Sequence, residues 1–231
     1  MSIDVTFDDR TDSTCADPDR CSPTLKRHHL ELWSKPLPSG KPFTLAMEPG
    51  KYLVHESNEK SFSLSSDSIS NSLRPHKRLA GVIAQIDSKD LDEFQRLGST
   101  IGAKILFPGY RIEKNQTINQ ARGFNGKIRD RFDLTLECIR LHYLGQQHPL
   151  ATTLNFYADF FALFENFDGY VEFFLLQDLV EAGRVKFFMP FEQGFDSKVL
   201  PTTFDEYHAY KQNTERFLKS RNARIAAVNP S

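Results

Sequence analysis

Apolar positions recur at helical spacing most clearly in the middle of the chain. From Asn119 to Tyr143 the sequence reads NQARGFNGKIRDRFDLTLECIRLHY, and Ile128, Phe132, Leu136, Ile139 and Tyr143 fall three or four residues apart. That is one face of an amphipathic helix. Asn125 is its expected N-cap and Gly145 its expected stop. Arg129, Asp133, Glu137 and Arg140 form a second stripe, in which Arg129 is expected to pair with Asp133 and Glu137 with Arg140.

Ahead of this stretch the pattern alternates between short helices and strands. Ser22 caps and Pro23 opens a helix with Leu25, His29, Leu32 and Trp33 on one face, and Pro36 ends it. Phe43 to Met47 reads as a short strand, and Lys51 to His55 with Ser61 to Leu64 as a hairpin. Leu79 to Ile86 is the strongest strand expectation, a nearly continuous apolar run. Asp87 or Ser88 caps a helix carrying Leu91, Phe94 and Leu97, closed by Gly98. Ile101 to Phe107 returns as a strand, Pro108-Gly109 turns it, and Arg111 to Glu113 is expected to pair with Thr117 to Asn119.

Beyond Gly145 the pattern is almost all helical. Leu150, Leu154, Tyr157, Phe161 and Phe164 share one face. Tyr170 to Val180 reads as a single buried helix, apolar nearly all round. A short strand is expected from Val185 to Met189. A capping box of Thr203 and Glu206 opens a long last helix. Tyr207, Tyr210, Thr214, Phe217, Leu218, Arg221 and Ile225 line its inner face, and Lys211, Arg216, Lys219 and Arg224 its outer one. Residues 1–21 are polar and rich in Asp, an irregular arm with Val5 and Phe7 tucked against the body. Residues 22–231 then form a single α+β domain. Its strand-rich half, over 40–120, packs against a mainly helical half over 125–228.

Charge changes this picture locally rather than globally. The net charge of −1 gives no overall pull toward nucleic acid or an anionic surface. Yet the stretch from Lys104 to Arg131 is basic, while Leu141 to Gly183 has no Lys or Arg and several carboxylates. Cys15, Cys21 and Cys138 are too few for a disulfide framework. The polar N-terminus is not expected to act as a signal peptide, and the apolar runs are too short to span a membrane. A cytoplasmic protein is expected.

Candidate chemistry gathers at the start of the central helix. Gly123 allows a tight loop there, and a loop entering a helix offers free N–H groups and a positive dipole end. Arg122, Lys127, Arg129 and Arg131 surround that end as an anion-binding clamp. There is no Walker lysine pattern and no G-x-G-x-x-G. His55 or His76 would move protons. Asp130 and Asp133 are the candidate catalytic carboxylates. Their spacing matches no strong metal signal, so no metal ligands are assigned and the cofactor is unknown. The run Ser65-Ser66-Asp67-Ser68-Ile69 caps a helix or holds a polar ligand.

Two functions fit these residues. One is an anion- or phosphate-binding protein, acting on RNA or a nucleotide. The other is a non-enzymatic, self-associating module, a homodimer in its simplest form, using the aromatic helical hairpin from Asn155 to Glu181. No reaction is named by either.

Five blocks carry a resemblance: DPDRCSPTLKRHHLELWSKPLPSGKPF, FSLSSDSI, TIGAKILFPG, TINQARGFNGKIRDRFDLTLECIRLHYLG and GYVEFFLLQDLV. In this order they resemble a family of bacterial proteins with no assigned activity. The likeness runs from about Asp17 to Ile225. It implies a bacterial, cytosolic, single-unit protein and carries over no catalytic residue.

Overall fold

The structure is a computed structural model. It describes residues 3–48, 50–57, 60–70, 73, 77–112 and 115–228. Among the described residues the strands are β1 (Lys35–Pro36), β2 (Pro42–Phe43), β3 (Leu45–Ala46), β4 (Leu53–Glu56), β5 (Ser61–Ser68), β6 (Lys104–Pro108), β7 (Val180–Glu181) and β8 (Arg184–Val185). The α-helices among them are α1 (Pro18–Cys21), α2 (Pro23–Trp33), α3 (Ala80–Ile83), α4 (Ser88–Leu97), α5 (Ile118–Phe124), α6 (Phe132–Tyr143), α7 (Ala151–Phe156), α8 (Ala158–Ala162), α9 (Phe167–Phe173) and α10 (Phe204–Val228). The architecture is α+β, with a sheet-rich N-terminal half and a helical C-terminal half.

The main sheet is antiparallel, in the order β3-β4-β5-β6. The expected hairpin forms: Leu53 faces Leu64 and His55 faces Phe62 across it, and its expected turn residues Asn58 and Glu59 lie outside the described residues. β5 changes character along its length. Phe62 and Leu64 are buried on one face, and by strand alternation Ser66 and Ser68 continue that face while Ser65 and Asp67 take the other. β6 closes the sheet with Ser66 opposite Leu106, Asp67 opposite Ile105 and Ser68 opposite Lys104. β5 therefore has one apolar end and one polar end, the latter paired with the apolar β6.

Helices and loops cover the sheet with aromatic side chains. Tyr170 and Phe174 lie 4.8 Å apart, Phe164 and Phe173 5.0 Å, and Trp33 and Phe174 5.2 Å. The tilted and edge-on geometries are those that aromatic quadrupoles favour. α6 runs through this core, with every residue from Phe132 to Ile139 buried. Along α10 the expected inner face is buried from Tyr207 to Ile225.

Arg221 ties the two halves together. Wholly buried, it donates to Phe174 O (3.2 and 2.9 Å), Gly102 O (2.7 Å) and Lys104 O (2.8 Å). One cation thus satisfies three carbonyls that sit where helical and strand ladders break off, and it anchors the start of β6.

Several elements differ from expectation. Leu79 to Ile86 forms a 3-10 turn and α3 rather than a strand; only Leu79 of the run is buried, so it lies across the surface. A short apolar run fits helix or strand equally well. Residues 117–119, expected as a strand, instead open a helix, Thr117 capping α5 in a capping box with Gln120; Glu113 of the expected partner strand lies outside the described residues. The run from Tyr170 to Val180 is broken at Leu175, which adopts φ +55°. Lys211 is buried rather than outward, pairing with Glu215 at 2.8 Å and lying over Phe94.

A candidate acidic cleft at the polar end of the sheet

The anion clamp does not assemble on one surface. α6 begins at Phe132, not near Asn125, because the Asn125 side chain turns the chain onto the Lys127 amide and Arg129 and Asp130 adopt φ +48° and +66°. Arg129 is exposed and Asp133 does not pair with it. Arg131 takes Asp133 instead, both wholly buried, and also donates to Val199 O at 3.1 Å. Lys127 is exposed and pairs with Asp196. The Glu137–Arg140 pair forms as expected.

The proton-transfer candidates are scattered too. His55 is buried, donates from Nδ1 to Thr44 O (3.0 Å) and stacks on Phe43 at 4.0 Å. Burial lowers its pKa, so it stays neutral in the core. His76 lies outside the described residues. The hairpin aromatics Phe160, Phe161, Phe164, Tyr170, Phe173 and Phe174 are all buried, so they build core rather than a contact face.

Arg122 leads to a different place. It is wholly buried, stacked near Phe107 and Phe132, and donates to Thr135 Oγ1 (2.9 Å), Ser68 O (3.4 Å) and Asp130 O (3.3 Å). Its main ion pair is with Asp67 on β5, and Asp130 stands 3.7 Å off. Asp67 lines a cleft of about 290 Å3 together with Asp17, Asp19, Ser66, Ser68 and Lys104. α1 forms its roof and the polar end of β5 and β6 its floor.

Each wall of the cleft has a local cause. Asp17 caps α1 by accepting the Asp19 amide (3.2 Å) and accepts the Tyr52 hydroxyl (2.7 Å). Asp19 reaches down from α1 and accepts both the backbone N–H (2.6 Å) and the hydroxyl of Ser66. Lys104 spans from β6 to Asp9 of the N-terminal arm, 2.7 Å away. Neighbouring cations point elsewhere: Arg20 donates to Gly50 O, and Lys26 to Glu48 O and Lys51 O.

Electrostatics follow from this inventory. Burial pushes the Asp19 carboxyl up to about 6, against the pull of its bonds from Ser66. Burial also raises Asp67, opposed by Arg122, and raises Asp9, opposed by Lys104. Lys104 is the one basic side chain among the cleft's described walls, and Asp9 already claims it. The cleft therefore holds more negative charge than its cations balance. Among the described residues, no group of three or more His, Cys, Asp or Glu side chains is placed to hold a metal ion.

A larger hollow of about 1060 Å3 lies between the 187–198 segment and the start of α10. Its floor is aromatic, and its lysine, Lys198, is paired with Glu206. It offers apolar contact but no convergent chemistry.

The model of a family of unknown function, DUF6994, matches residues 3–225. The chain belongs to that family. No curated protein matches the chain, and no solved structure does. Among the described residues, no helix is long and apolar enough to cross a membrane.

The Ser65–Ile69 run, expected to cap a helix or hold a polar ligand, is the polar half of β5 as far as Ser68. Asp17, Asp19 and Lys104 carry no such expectation from the sequence. The available signal was a dense Asp run, D-P-D, directly before a capped helix.

Proposed function

We propose that the protein binds a compact, positively charged organic group, an amine or a guanidinium, in the acidic cleft. The observation that carries this reading is the charge imbalance. Asp17 and Asp19 face a half-closed space whose one basic wall residue is already paired, and Asp67 lies in the strand beneath them, held by Arg122. Carboxylates held away from water must be neutralised by a proton or a cation. With the cleft empty, Asp19 keeps a proton up to about pH 6. A bound cation would replace that proton and let Asp19 ionise. Asp19 is then the group that exchanges a proton with the ligand, and Asp67, backed by Arg122, supplies a fixed negative charge.

The volume limits the ligand to about ten heavy atoms, since a water molecule fills about 30 Å3 of liquid. The same charge count turns phosphate away from this cleft. The basic residues that first suggested a phosphate or RNA ligand are buried in ion pairs, in the case of Arg122 and Arg131, or dispersed over the surface. Self-association through the aromatic hairpin loses its support likewise, because those rings are inside.

Calorimetric titration with methylammonium, ethanolamine, guanidinium, Mg2+ and phosphate tests the proposal. The organic cations should bind more tightly at pH 7.5 than at pH 5, and Asp19→Asn should weaken them at least about tenfold, the loss of one charge-assisted contact. Binding of phosphate alone, or cation binding that Asp19→Asn leaves unchanged, would overturn it.

A further inference from the structure

Cys15 and Cys21 form a disulfide across six residues of sequence. The bridged segment contains Ala16, Asp17, Pro18 and Asp19, which is the whole contribution of the N-terminal region to the cleft. We infer that this bond is a redox latch on the cleft: closed, it holds the two aspartates over Ser66; reduced, it lets them leave. The inference rests on the reading of the cleft as the binding site.

The latch follows from how little else holds the segment. α1 is one turn long and contributes no residue to the apolar core. A single turn is far too short to persist alone, since nucleation is unfavourable. Polar contacts fasten it: Asp19 to Ser66, Asp17 to Tyr52 and Arg20 to Gly50 O. Those contacts depend on the turn that presents the side chains on one side, and the covalent bond closes that turn.

Access and chemistry agree. Cys15 is exposed, whereas Cys138 is wholly buried and cannot exchange into the pair. A dithiol reductant attacks as its thiolate at the Cys15 sulfur, forming a mixed disulfide and expelling Cys21, which takes up a proton. The second thiol of the reductant then closes its own disulfide and frees Cys15. The protein gains two electrons and two protons, and the dithiol loses them. Where a bond of this kind forms in reducing surroundings, it is typically transient and redox-sensing.

The test compares the full-length protein with the bond intact and after dithiothreitol, both forms verified by alkylation and mass. Amide hydrogen exchange should quicken at least about tenfold over residues 13–21 and at the Ser66 amide, with the rest of the sheet unchanged. Cys15→Ser/Cys21→Ser should match the reduced form without reductant. Unchanged exchange in the reduced form would overturn the latch, as would loss of protection throughout the protein, or thiols that stay free under mild oxidant. The carboxyl 13C titration of Asp19 separates the two ideas. A midpoint near 6 only in the bonded form supports both. A midpoint near 6 in both forms sinks the latch and spares the cleft. An ordinary midpoint near 4 in both forms removes the cleft reading itself.

Discussion

Arg131 and Asp133 grip each other inside the protein, and Asp133 uses the same carboxylate to accept the Phe188 amide at 2.8 Å. Both side chains are essentially sealed from water. Two residues apart, they join the turn before α6 to its first helical turn, where a carboxylate also suits the helix dipole. Removing Asp133 strands a buried guanidinium and an amide. Asp133→Ala should cost about 3–5 kcal/mol, against well under 1 kcal/mol for an exposed pair. Denaturant unfolding at equal slope measures it; a midpoint equal to that of the parent would contradict the buried pairing.

Arg221 makes a second demand of this kind without any carboxylate. Arg221→Met would fill its volume but leave the carbonyls of Phe174, Gly102 and Lys104 without donors. A loss of at least about 3 kcal/mol is expected, since each buried unsatisfied group costs roughly 1–3 kcal/mol. Arg221→Lys should recover little, because one ammonium cannot reproduce a planar fork with four bonds. Full recovery by lysine, read from melting temperature, would show that charge alone matters there.

Gly102 is the close-approach point under α10. A Cβ at this position would stand 2.0 Å from Asn222 Oδ1. Gly102→Ala should destabilise by about 1–3 kcal/mol through overpacking. Asn222→Ala, in the same protein, should return part of that loss as a non-additive term. Simple additivity of the two substitutions would contradict the contact.

Much of this framework was readable in the chain. Ser22-Pro23 fixed the start of α2, Gly98 the end of α4, and the inner face of α10 followed from spacing alone. The errors share a cause: a pattern names a face, not its neighbour. Arg129 and Asp133 have ideal helical spacing, yet the helix starts after Arg129, because an Asn turn and two positive φ values are set by local bonds that periodicity does not see. Thr117 and Gln120 were a legible capping box passed over for a hairpin. The cleft was harder. Asp19, Ser66 and Lys104 are far apart in sequence, and only strand register and the path of the N-terminal arm bring them together. The disulfide was passed over because three cysteines suggest no framework, although one pair can close one loop.

Stability should depend on pH in a direction set by Asp19. Its carboxyl titrates near 6 in the folded protein against an ordinary 3.8, so the folded state holds the proton more tightly. That contribution is complete below about pH 4 and is lost as pH rises through 6, a change of roughly 3 kcal/mol for two units. Asp9 and Asp67 are shifted the same way. His29, buried and pushed down to about 3, acts oppositely, costing stability as pH falls below its ordinary 6.5. Asp19→Asn removes one term, so its stability relative to the parent should improve from pH 4 to pH 7. A constant difference across that range would refute the shift.

The most direct measurement follows the Asp19 carboxyl 13C resonance through a pH titration, with and without saturating ethanolamine. Burial of the carboxyl predicts a midpoint near 6 alone, and a cation that takes the place of the proton should move it down by about a unit or more. A midpoint near 4 that ethanolamine does not move would contradict the cleft as a cation-binding site.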